Sequence, residues 1–163
     1  MSIYGVIQST NGCRCMIFGG NMLLLDLILI IVYVLNQYDI LPYDNQITML
    51  LYYVCKKFKI PRRIEMHPAL TGLESFYING LIHLLHRQYR LIESVIDWIT
   101  KYRINQHGVN IVKILMEKNR FYRQIVFMLS IELNKRGIDN ILEEVWRLWK
   151  NERKSEDISQ ENL

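Results

Sequence analysis

Residues 22–35 are apolar or aromatic at every position except Asp26. The span between Asn21 and Asn36 falls short of the roughly 17–25 residues a bilayer-crossing helix needs, and a central carboxylate adds about 2.5–3.5 kcal/mol to insertion. The pattern therefore predicts a helix over about 21–37, enclosed at the centre of a bundle. On a 3.6-residue period Asp26, Tyr33 and Gln37 share one stripe, so the carboxylate can meet a partner at the bundle edge. A cleaved leader fits poorly: the segment before the apolar run carries only Arg14, and Asn36-Gln37-Tyr38-Asp39 follows it where small residues are expected.

Upstream, Ile3 to Gln8 and Cys13 to Phe18 flank Asn11-Gly12, the dipeptide a tight hairpin turn asks for, which predicts a short β-hairpin or extended segment within 1–20. Downstream the period is helical. Ile47, Leu50, Leu51, Val54 and Phe58 form a stripe over 45–59 that Pro61 ends. Thr71-Gly72-Leu73-Glu74 matches a capping box opening a helix to about 87 with Phe76, Tyr77, Leu81, Leu84 and Leu85 inward. Leu91, Ile92, Val95, Ile96 and Ile99 predict a fourth helix to about Tyr102. Gln106-His107-Gly108 reads as a helix stop, and 109–133 as one long helix or two broken near Asn119. Gly137 suits a C-terminal cap and Asp139 an N-cap for a last helix burying Ile141, Leu142, Val145, Leu148 and Trp149.

These elements define a mainly α, single-domain bundle of six to seven helices over 1–151. The polar residues 152–163, without apolar period, are expected to form a disordered charged tail. A chain of 163 residues with 50% hydrophobic content and few Gly and Pro suits one dense helical core. Three cysteines without framework spacing point to free thiols and an intracellular, reducing compartment, cytoplasm and nucleus being equally compatible.

Charge changes the functional picture because it is segregated. Residues 56–123 carry a net +8 and each flank −2. Within the basic stretch cations bracket aromatics: Lys56-Lys57-Phe58-Lys59 with Arg62 and Arg63, Arg87-Gln88-Tyr89-Arg90, Lys101-Tyr102-Arg103, and Arg120-Phe121-Tyr122-Arg123. Such interleaving suits single-stranded RNA or DNA, with cations for phosphates and Phe58, Tyr89, Tyr102 and Phe121 as stacking faces. The same residues also suit helix C-terminal turns and half-buried core edges.

Cys13 with Cys15, and His83 with His86, could each offer two ligands to a metal, but the pairs are ordinary for a strand face and a helix surface, and no metal or cofactor is assigned. The sequence has no phosphate-cradling Gly-rich loop, no nucleophile elbow and no paired-histidine zinc helix. Burial should raise the Asp26 pKa, the usual condition of a core acid bonded to a tyrosine or backbone group. The leading expectation is a non-enzymatic module that binds another protein, by a partner helix in a groove or by its helical surface, with Trp98, Trp146 and Trp149 as possible anchors. Nucleic-acid binding through 56–123 is the alternative, and anchoring in a membrane by 22–35 is disfavoured.

Overall fold

The computed structural model describes residues 19–161 and is mainly helical, with five α-helices and two small antiparallel hairpins among the described residues. In chain order these are α1 (Gly19–Gln37), α2 (Asp44–Lys57), the hairpin β1 (His67–Ala69) and β2 (Gly72–Glu74), α3 (Phe76–His83) with a π turn at Leu84–Gln88, the hairpin β3 (Ile92–Ile96) and β4 (Thr100–Ile104), α4 (Gln106–Lys118) and α5 (Arg120–Glu161). The expected hairpin at Asn11-Gly12 lies outside the described residues.

Helix α1 is the hub. Leu24 is 5% exposed and the apolar residues from 25 to 32 no more than 1%, because α2, α3, α4, α5 and β4 all pack around it. The greasy segment is thus enclosed by its own chain, and no helix among the described residues is long and apolar enough to cross a membrane. Asn36 fixes the end of α1: its Nδ2 donates to the Ile40 carbonyl at 2.9 Å and its Oδ1 accepts from the Ile104 amide at 2.7 Å. That second bond ties the hub to β4.

The six-to-seven-helix bundle is corrected at two places. Thr71 and Glu74 do not cap a helix but close a hairpin in which Ala69 pairs with Gly72, and the Thr71 hydroxyl accepts from Asn45 Nδ2 at 2.7 Å. Ser75 is the residue that precedes α3. The predicted fourth helix is the second hairpin, with Ile92 opposite Ile104 and Ile96 opposite Thr100. Its apolar spacing fits both periods, and β-branched residues at Ile92, Val95, Ile96, Thr100 and Ile104 favour the pleated alternative. Only Ile92, Tyr102 and Ile104 are buried there, while Ile96 and Ile99 are exposed.

Gly108 reverses its expected role. Asn105 caps the start of α4 by accepting from the Gly108 amide at 2.9 Å. A Cβ on Gly108 would stand 2.3 Å from the Leu91 carbonyl and 2.6 Å from Ile104 Cγ1, so glycine lets the helix start press on the hairpin. Asn119, in extended conformation, separates α4 from α5, as the two-helix option for 109–133 requires. Gly137, at φ 74° and ψ 167°, breaks α5 into two arms. This conformation is essentially restricted to glycine. Arg136 holds the arms, contacting Glu132 at 2.7 Å on one and Glu144 at 2.5 Å on the other, while its Nη2 donates to Tyr53 Oη at 2.7 Å. Ile125, Leu129 and Leu133 on the first arm and Ile141 and Val145 on the second face the core. The backbone remains helical through the polar residues from Glu152 to Glu161.

Candidate functional site

The densest basic cluster lies where α2 ends. Lys56 and Lys57 complement the carbonyl end of the helix, and Lys59, at φ 51°, turns the chain away. The second arm of α5 then answers these cations with acids: Lys56 bonds Glu152, Lys57 approaches Glu144 at 3.8 Å, and Arg63 meets Glu156 at 3.2 Å. Tyr52 Oη donates to Glu152 at 2.7 Å. Burial works to raise the Glu152 carboxyl, but hydrogen bonds from Lys56 and Tyr52 and the charges of Lys56 and Arg63 outweigh it and leave the group below its ordinary value. A cleft of about 330 Å³ lies here, with Tyr52, Arg62, Met66 and Trp149 among its walls. Of its cations, Lys56 and Arg63 are ion-paired and Arg153 donates to the Met66 carbonyl at 3.4 Å, while Arg62 forms no ion pair among the described residues; Lys59, which does not line the cleft, forms none among them either.

The remaining cation and aromatic candidates fall into two groups. Phe58 meets Phe121 edge-on, with centroids 5.6 Å apart at 84°, which joins the 56–63 cluster to exposed Arg120 and Arg123. The second group surrounds the base of the β3–β4 hairpin: Arg87, Arg90 and Arg103 are exposed and form no ion pair among the described residues, while Lys101 pairs with Asp97 at 3.3 Å. None of the four proposed stacking rings is exposed. Phe58, Tyr89 and Phe121 are half-buried, and Tyr102 is 2% exposed, beside His86 and bonded to Asp44. His83 is exposed and His86 half-buried; no cluster of three or more potential metal ligands occurs among the described residues, and Cys13 and Cys15 lie outside them.

Asp26 finds its partner in the core. Tyr122 Oη donates to Asp26 Oδ2 at 2.6 Å, while Oδ1 has no hydrogen-bond partner. Burial pushes the carboxyl up to about 6, and the Tyr122 bond only partly opposes it. At 3% exposure this acid sits in an apolar setting.

Both hairpin turns carry exposed apolar side chains. Trp98 is 97% exposed, between Ile96 at 83% and Ile99 at 40%, because three turn residues project beyond the Ile96–Thr100 pair. Trp146 and Trp149 are instead half-buried, with ring centroids 5.6 Å apart and planes tilted by 33°. Leu70, fully exposed, stands on the turn of the first hairpin. Tyr43 links the two hairpins: its backbone bridges Lys101, and its hydroxyl donates to the Thr71 carbonyl at 3.3 Å. Residue type alone points to Trp98 as a candidate, whereas the exposure of Leu70, Ile96 and Ile99 follows only once both turns are known. No protein family, curated protein or solved structure matches the chain, so its function is inferred from its own geometry.

Proposed function

We propose that this chain is a binding module without a reaction of its own, which docks to a macromolecular partner through the end bearing the two hairpin turns. The observation that carries the reading is the near-complete exposure of Trp98, flanked by exposed Ile96 and Ile99. Each such side chain left in water forgoes roughly 1.5–3 kcal/mol of burial, and rigid aromatic anchors of this kind dominate the energetics of recognition surfaces. The clefts around Lys56 and Arg62 are lined largely by charged side chains, so the reading rests on the protruding apolar side chains and not on a partner-helix groove. A photoreactive benzophenone side chain at position 98, compared with one at exposed Arg147 on α5, tests the reading in the native host or a lysate. Discrete adducts, protein or lipid, at 98 and not at 147 support it. Equal labelling at the two positions would overturn it.

A further inference from the structure

We infer that the surface engaged by the hairpin end is an anionic lipid bilayer, into which Trp98, Ile96 and Ile99 insert while the arginines at the hairpin base meet the headgroups. The inference rests on the docking reading above and names its partner. The first argument is shape. The apolar side chains stand on two separate turns, Leu70 on one and Ile96, Trp98 and Ile99 on the other, linked by Tyr43. A protein partner would need two pockets matched to these knobs, whereas a fluid interface accommodates both without matching. Trp is also the side chain best suited to the boundary between headgroups and acyl chains.

The second argument is charge. Arg87 and Arg90 stand just before β3, and Arg103 faces Glu93 across the hairpin. All three are exposed and form no ion pair among the described residues. Arg103 lies three residues behind Thr100, roughly 10 Å along the strand, and Arg90 two residues ahead of the far end of β3. A turn that reaches the acyl boundary therefore leaves these cations near the phosphates, and each basic group near an anionic leaflet strengthens binding. Of the two acids on the hairpin, Asp97 is paired with Lys101 at 3.3 Å and Glu93 stands opposite Arg103, which lowers the penalty of carrying them toward the interface. In this arrangement the apolar helix α1 stays inside the protein and takes no part.

Flotation of the full chain with vesicles of phosphatidylcholine and phosphatidylserine, against phosphatidylcholine alone, tests the inference. Binding should require the anionic lipid and weaken as salt rises. Trp98→Ala should reduce partitioning by about ten- to a hundredfold, from the apolar area withdrawn. Joint R87Q, R90Q and R103Q should reduce it by about a hundredfold. Trp98→Phe should restore part of the loss, and thermal melts establish that the variants are folded. Anionic-vesicle binding that is indifferent to Trp98→Ala and to Ile96→Ala would overturn the insertion. No vesicle binding, together with protein adducts at position 98, would overturn the lipid assignment and leave the docking reading standing. Absence of both would remove the two together.

Discussion

Replacing Asp26 with Asn tests whether the hub of the fold holds a carboxyl that resists ionisation. Burial moves this group from 3.8 to about 6, which corresponds to about 3 kcal/mol between its protonated and ionised states in the folded chain. The sign follows from linkage. Below pH 3.8 both folded and unfolded chains hold the proton. As pH rises the unfolded chain releases it first, so stability falls until the folded chain also ionises near pH 6. D26N has no such group. Its amide brings a static cost, since a buried N–H beside the unpartnered Oδ1 position leaves donors unmet, but that cost does not depend on pH. The stability difference between D26N and the parent should therefore move by about 3 kcal/mol in favour of the variant between pH 3 and pH 7, measured by urea unfolding at each pH. Carbon-13 titration of the Asp26 carboxyl gives the independent reading, with a midpoint near 6, and Tyr122→Phe should raise it further by removing the bond that favours the anion. A difference that stays flat with pH, or a carboxyl midpoint near 4, would refute the reasoning.

Gly137→Ala should destabilise the fold by about 1–3 kcal/mol in chemical denaturation, because φ 74° with ψ 167° excludes ordinary side chains; an unchanged midpoint would show that the arms re-form without the kink. Gly108→Ala should cost about 1–3 kcal/mol by forcing a Cβ against the Leu91 carbonyl and Ile104, and amide exchange should rise in the β3–β4 hairpin together with the start of α4. Cys55 is 4% exposed and burial pushes its thiol up to about 11, so in a C13S/C15S variant a thiol reagent at pH 8 should label it only at the rate of chain opening. Lys56→Ala should change stability by about 1 kcal/mol or less, since both partners of its ion pair with Glu152 are about half exposed.

Local pattern determined the parts of this chain whose partners matter little. The all-round apolar run at 22–35 could only be enclosed or inserted in lipid, and its length and Asp26 chose between them; the stripe at Ile47, Leu50, Leu51 and Val54 made α2; Asn119 and Gly137 marked breaks because one leaves the helix and the other takes a conformation denied to other residues. The basic-aromatic runs were equally plain as composition, but their use was not, since Glu144, Glu152 and Glu156 reach Lys57, Lys56 and Arg63 only when α5 folds back along α2. Tyr122 likewise becomes the donor to Asp26 across 96 positions of sequence. The hairpins were lost for the same reason. Leu91, Ile92, Val95, Ile96 and Ile99 satisfy a helical period, and Thr71 and Glu74 a capping box, so the choice of strand was made by pairing with residues further along and by Tyr43 and Asn36 from other elements. A periodic stretch decides which residues can share a face. Which face is buried, and which is left in water as at Trp98, depends on the free energy of non-local contacts that exist only in the folded chain.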